Sequence, residues 1–362
     1  MQTVVDEDIK LTRKKIEAIS RHPEKTAVAI DLVYVNANQP GISRIKTEKG
    51  FTYIANGKKL KDKTVVQRIN SLVIPPAWED VWICTLDNGH LQATGLDVMK
   101  RKQYKYHPRW NSLRNQTKFY RLLEFGKALP AMRVQLDKDL ALPGMPVEKV
   151  LALVVTLMGE TNIRIGNNFY EKLYGSFGLT TLKDKHVVIR GSEIKFVFKG
   201  KKGIDHDISI KNKKLSALVK KCRDIPGKEL FQYYDEAGVR KPIDSGMVNN
   251  YIKQISGTDF SAKDFRTWSG TVNAFLALKE LGAFETDIER KKKVVEALDM
   301  VAGRLGNTRT VCKKYYVHPV IISLYENNAL EKYQLPQQTD KDLAKTKAIP
   351  EEQVILKILE TN

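Results

Sequence analysis

The sequence predicts an α+β protein: a small β-rich N-terminal domain, then a larger, mostly α-helical domain carrying a short three-stranded sheet. Between about residues 30 and 95, short β-like runs alternate with turn signals. Beyond Pro108 the apolar residues recur at helical spacing, and one strand-like stretch near 186–210 interrupts them.

Taken in order, Ile9, Ile16 and Ile19 lie among charges and predict a short leading helix over 6–20, within a helical extension covering 1–34. The β-rich domain spans 35–110. Its strands are Gly50-Phe51-Thr52-Tyr53-Ile54 and Val81-Trp82-Ile83-Cys84-Thr85-Leu86, with one helix near 64–72. Asn56-Gly57, Pro75-Pro76 and Asp87-Asn88-Gly89 punctuate it. Pro108 follows a basic segment and disfavours helix in the residue before it, which marks a boundary.

The helical domain spans 111–335. The apolar run from Val147 to Met158 is too long for a typical strand and predicts a buried helix. Strands over 186–190 and 194–199 flank Gly191-Ser192-Glu193, and Ile204, Ile208 and Ile210 alternate along a third after Gly200-Lys201-Lys202-Gly203. Trp268, Val272, Phe275 and Leu276 share a helical face ending near Gly282, and Val294, Leu298, Val301 and Leu305 share another ending at Gly306. A polar tail, 336–362, closes with an amphipathic piece around 354–359 and reads as mobile.

With 61 Lys+Arg against 42 Asp+Glu in 362 residues, the net charge is +19. Such a surplus points to a polyanionic partner, nucleic acid first and anionic membrane second. Three well-separated cysteines argue against a disulfide framework, and no CxxC or HxxxH spacing suggests a metal site. The first residues have neither a basic n-region nor an apolar h-region, and no apolar run is long enough to span a membrane. These features predict a soluble protein of the reducing cytosol.

Cleaving a phosphodiester without a metal needs a nucleophile, cations to hold the non-bridging oxygens, and an acid for the departing oxygen. Arginine suits the second task because its fork grips two oxygens and keeps its charge. Thr161-Asn162-Ile163-Arg164-Ile165-Gly166-Asn167 places Arg164 where a buried helix gives way to a loop. Lys201 sits on a glycine-flanked turn, and Lys263-Asp264-Phe265-Arg266 opens a helix that Asp264 can cap. Asn307 and Tyr316 lie nine residues apart with basic residues between them. A phenol of ordinary pKa, about 10, is a poor nucleophile at neutral pH, so neighbouring cations must favour its phenolate. Each feature alone has an unremarkable explanation: a surface salt bridge, a hydrophilic turn, a packing tyrosine.

In order, however, Arg164, Lys201, Lys263-x-x-Arg266, Asn307 and Tyr316 resemble the set of the type IB DNA topoisomerases, in the short poxvirus-like form found in bacteria. The resemblance runs from about 35 to 335. Ile74-Pro75-Pro76-Ala77-Trp78-Glu79-Asp80-Val81-Trp82-Ile83-Cys84 and Gly175-Ser176-Phe177-Gly178-Leu179-Thr180-Thr181-Leu182 extend it, as do 89–95 and 101–107. It implies the tyrosine recombinase/topoisomerase IB catalytic fold and transient cleavage of one strand of double-stranded DNA without ATP, metal or cofactor. By the same resemblance Tyr316 is the nucleophile, Arg164 and Arg266 clamp the phosphate, and Lys201 donates the proton, with Arg164 on the same proton path. Asn307 stands where other members have histidine. Its amide donates a hydrogen bond but carries no positive charge.

The resemblance selects Tyr316 over Tyr315, and on a helix the two point about 100° apart. His318 reads as a helix cap. Arg101, Lys102, Gln103, Tyr104, Tyr106, Arg114, Asn167, Tyr170 and Lys263 are the implied DNA contacts. The implied assembly is a monomeric clamp around duplex DNA, associated with the nucleoid. Two other readings exist, a tyrosine site-specific recombinase and a non-enzymatic architectural DNA-binding protein. The recombinases usually carry His-x-x-Arg where this chain has Lys263-x-x-Arg266.

Overall fold

The computed structural model describes residues 22–48, 50–98, 100–336, 347 and 349–362, and for 115–117 the backbone alone. The helix expected over 6–20 lies outside the described residues. The chain divides into two compact units, Met1–Tyr120 and Arg121–Asn362, and the division falls inside one long helix.

The first unit holds helix α1 (Pro23–Val28), then strands β1 (Ile42–Thr47), β2 (Gly50–Ala55) and β3 (Lys58–Lys59). Helix α2 (Lys63–Ser71), strands β4 (Glu79–Ile83), β5 (Leu91–Leu96) and β6 (Lys102–Tyr106), and the start of helix α3 (Pro108–Leu140) follow. The six strands form one antiparallel sheet in the order β3-β2-β1-β4-β5-β6. Asn56 and Gly57 both have positive φ, 49° and 74°, the backbone a two-residue hairpin between β2 and β3 requires. Ile42, Val81, Ile83 and Ala93 from the strands pack with Ile69 of α2, whose N-terminus Asp62 caps by accepting from Thr64 and Val65. The β6 edge carries the 101–106 segment.

In the second unit the elements are α4 (Val147–Thr161), α5 (Asn168–Tyr174), β7 (Val187–Arg190), β8 (Glu193–Lys199) and β9 (Asp205–Lys211). They continue with α6 (Lys213–Arg223), β10 (Gln232–Tyr234), β11 (Arg240–Pro242), α7 (Ser245–Ser256), α8 (Ala262–Leu281) and α9 (Asp287–Leu305). Helices α10 (Arg309–Tyr315), α11 (Pro319–Glu326) and α12 (Pro350–Thr361) complete it. Helix α4 is the centre: it is apolar all round, and every residue from Val150 to Val155 is buried. Helices α6, α7 and α8 pack around it. The antiparallel β7-β8-β9 sheet presents Ile194, Phe196 and Phe198 to the same core.

One expectation is corrected. The tail is not mobile along its whole length, because α12 buries Val354, Ile355, Ile358 and Leu359 in the core and packs against α8. Glu352 fixes it there. It accepts two hydrogen bonds from the Arg133 guanidinium, at 2.7 and 2.8 Å, and one from Trp268 Nε1 at 2.9 Å. The amphipathic spacing at 354–359 is therefore a docking stripe.

Candidate active site

Several chain segments converge on one cavity of about 700 Å³ in the second unit. Arg164, Lys201, Arg266 and Tyr316 all line it, with Asn167, Tyr170 and Lys263. Among the described residues that line it, Lys202 adds a fifth cation and none is acidic.

Each position has a local cause. Asn162 ends α4 in the left-handed conformation, φ 58°, and turns the chain so that Arg164 leaves the helix axis. The backbone of 164–166 is then clamped by the 178–181 segment. Leu179 and Thr180 donate to the Arg164 and Ile165 carbonyls at 2.8 and 2.6 Å. This approach admits no side chain at Gly178, where a Cβ would lie 2.5 Å from the Arg164 oxygen.

Lys201 opens a short 3-10 turn, Lys201–Gly203, between β8 and β9, with Lys202 and Gly203 both at positive φ. The Gly200 amide donates to the Ile204 carbonyl at 2.7 Å and closes it. Arg266 is the fifth residue of α8, whose N-terminus is a capping box of Ser261 and Asp264. Tyr316 follows α10 as its C-cap, and its backbone rests on α8. Thr271 Oγ1 donates to the Tyr316 carbonyl at 3.4 Å, and a Cβ on Gly270 would lie 2.5 Å from that oxygen.

Arg266 is 5% exposed, and burial lowers its pKa. Attraction from Tyr316 counters that, and its guanidinium lies 5.2 Å from the Tyr316 ring centroid. Its own anchors are carbonyls, Asn162 at the end of α4 and Leu305 at the end of α9, the latter at 2.7 Å. Two helix C-termini thus direct their negative ends at one buried cation. Arg164 donates to the Gly306 carbonyl at 3.1 Å and to the Asn307 side-chain oxygen. Burial, with repulsion from Arg266, pulls Arg164 down to about 10, so it remains charged at neutral pH. Because Oδ1 of Asn307 receives Arg164, its Nδ2 is turned away from that bond. Nδ2 and Arg266 Nε are buried donors with no hydrogen-bond partner among the described residues. An unpaired amide donor and an unpaired guanidinium N–H, with the Arg164 guanidinium beside them, suit the oxygens of an anion.

Tyr315 lies elsewhere. It is exposed, under Lys314, and is not among the residues lining the cavity. His318 caps α11 by accepting from the Val320 amide at 3.1 Å, and burial pushes it down to about 4. The remaining sequence-derived contacts belong to the first unit. Lys102 and Tyr104 are exposed on β6, Tyr104 stacks on Tyr106, and Arg114 lies 5.4 Å from the Tyr106 ring. Arg101 and Gln103 instead converge on Asp97, at 2.6 and 2.8 Å, so both are engaged within their own turn.

Residues 102–343 match the family described as eukaryotic DNA topoisomerase I, catalytic core. The chain belongs to the type IB DNA topoisomerases. Residues 50–97, within the six-stranded sheet, match the N-terminal domain of bacterial DNA topoisomerase IB. The chain is 33% identical over 297 residues to the DNA topoisomerase 1B of Acanthamoeba polyphaga mimivirus, covering 80% of this chain and 88% of that one. It is 24% identical over 238 residues to the DNA topoisomerase 1B of vaccinia virus strain Copenhagen, covering 64% and 72%. Family membership sets aside the recombinase and architectural readings. What the sequence did not single out in this type IB topoisomerase are the supports behind Tyr316, Gly270 and Thr271, and for Gly178 it gave a motif match without its place behind Arg164.

Proposed function

We propose that this type IB topoisomerase relaxes supercoiled duplex DNA by transient cleavage of one strand, with Tyr316 as nucleophile. The observation that carries the assignment is the Tyr316 ring under Arg266 in a cavity whose lining includes five cations and no acid. A scissile phosphate there would meet Arg164 and Arg266 as fixed donors, aimed where negative charge grows on the non-bridging oxygens. Asn307 Nδ2 would add a neutral donor.

Tyr316 gives up its phenolic proton to solvent, its phenolate oxygen attacks phosphorus, the bond to the 5′-oxygen breaks, and Lys201 gives that oxygen its proton. The products are a 3′-phosphotyrosyl bond and a free 5′-hydroxyl. One phosphoester replaces another, so reversal by the 5′-hydroxyl reseals the strand without ATP, and the cut strand swivels in between. The exposed Lys102, Tyr104 and Arg114 of the first unit, with Tyr170, Asn167 and Lys263 of the second, would grip the backbone around that point. The protein acts as a monomer closing around the duplex, in the cytoplasm with the nucleoid.

The test is supercoiled plasmid with EDTA and no ATP. Relaxation is expected, and Tyr316→Phe is expected to bind DNA yet lose relaxation and the covalent adduct. Plasmid left fully supercoiled at high enzyme would falsify the proposal, and an active Tyr316→Phe would transfer the role to Tyr315.

A further inference from the structure

We propose that His206 is a positioning residue that sets the Lys201 turn against the arginine cluster, an inference resting on Lys201 as proton donor. His206 stands on β9 directly across from Phe198 of β8, and the two rings stack at 4.9 Å with planes 15° apart. Its imidazole reaches two glycines that the chain separates widely. A Cβ on Gly200, which opens the Lys201 turn, would lie 2.5 Å from His206 Nε2. A Cβ on Gly306 would lie 2.4 Å from His206 Cε1. Real Cβ atoms do not approach so closely, so the ring packs directly on both backbones.

Gly306 is itself part of the site: its carbonyl receives Arg164, and Asn307 follows it. The flat ring is therefore a spacer between the turn that presents Lys201 and the cap that seats Arg164 and Asn307. Lys201 needs such a support. It is exposed, and among the described residues it makes no hydrogen bond or ion pair, so its backbone alone sets its reach. Burial, and then the charges of Arg164 and Arg266, hold His206 below the usual histidine range, with Asp205 opposing. The neutral ring is thus the resident form at neutral pH, and a charged one would repel both arginines.

A leaving group that departs without a proton separates positioning from folding. The experiment measures single-turnover cleavage on ordinary duplex DNA and on DNA with sulfur in place of the 5′-bridging oxygen. A thiol is far more acidic than an alcohol, so the sulfur leaves without a general acid. On ordinary DNA, His206→Ala is expected to slow cleavage by at least about tenfold, a partial loss of the roughly hundredfold or more that general-acid catalysis contributes. It should add nothing further to Lys201→Ala, and on sulfur DNA it should regain the wild-type rate, with DNA affinity unchanged. His206→Phe keeps the stack and the spacer and should restore most of the rate on ordinary DNA.

His206→Leu fills the volume without the flat stack and must show the same sulfur-suppressible defect even if the alanine variant unfolds. Sulfur that rescues Lys201→Ala but not the His206 variants would overturn the positioning role, as would a His206→Leu protein with wild-type cleavage of ordinary DNA. Sulfur that fails to rescue Lys201→Ala would instead remove the proton-donor assignment.

Discussion

Gly270 is a small residue with a large duty. On α8 it faces the Tyr316 carbonyl at a distance where a methyl group would sit 2.5 Å from the oxygen and 3.0 Å from the Tyr316 Cβ. The obstacle is backbone, so Gly270→Ala must displace either α8 or Tyr316. A shift of about 1 Å in a reacting group costs on the order of a hundredfold in rate. Covalent adduct formation in the Gly270→Ala protein should fall by about that factor, while the better helix propensity of alanine offsets part of the overpacking cost. Adduct formation at the wild-type rate would remove Gly270 from the account. His318 offers a second check at this scale. Its folded imidazole takes up a proton only near pH 4, whereas an unfolded one does so near 6.5. The folded state therefore has its full contribution above about 6.5 and loses it as the pH falls toward 4, on the order of 3 kcal/mol. His318→Asn keeps a cap acceptor without titrating, so its denaturation curves should change less than wild type between pH 7 and 5. Parallel curves would count against it. Arg164, Lys201, Arg266 and Tyr316, which the family resemblance picked out of the sequence, line one cavity. Gly270 and His206 were not legible, since their contacts lie in the space between segments remote in the chain.

Helices and strands with one strong local signal were read well. The α4 run is apolar on every side, and Asn56-Gly57 can scarcely be anything but a tight hairpin. The last helix was misread because its stripe is short and follows a polar run, and nothing local says which groove receives it. The structure supplies the groove: Gly126 of α3 lets Trp268 and Leu356 close over it, a Cβ there meeting them at 2.2 and 2.8 Å. Glu352 then joins α3, α8 and α12 through Arg133 and Trp268. Glu352→Ala would strand a partly buried guanidinium and an indole donor, at about 2 kcal/mol. For a unit of this size that lowers Tm by about 4–8 °C. Glu352→Gln, which keeps the indole's acceptor but not the charge, should fall between. An unchanged Tm in the alanine variant would mean the apolar stripe holds α12 alone. Trp268 sits two residues from Arg266 on the same helix, so undocking α12 should slow cleavage as well as reduce stability.

For the molecule as a whole, a charge of +19 makes binding to duplex DNA an ion-exchange reaction. If six or more phosphates are contacted, affinity should drop by about a thousandfold or more between 50 and 200 mM salt. A nearly flat dependence, measured by titration of a short duplex, would contradict a backbone grip. The same charge has a local counterpart in the cavity, where the described lining holds five cations without a carboxylate, and the buried Arg266 and Arg164 are held by carbonyls. Resting protein therefore carries like-charge repulsion in this cavity that carbonyl dipoles offset without neutralising. Laboratory selection for heat tolerance alone would find its easiest gains there, by neutralising residues such as Lys263 or Lys202, and would erode turnover as it did so. Robustness and activity pull this chain in opposite directions at a single, nameable place.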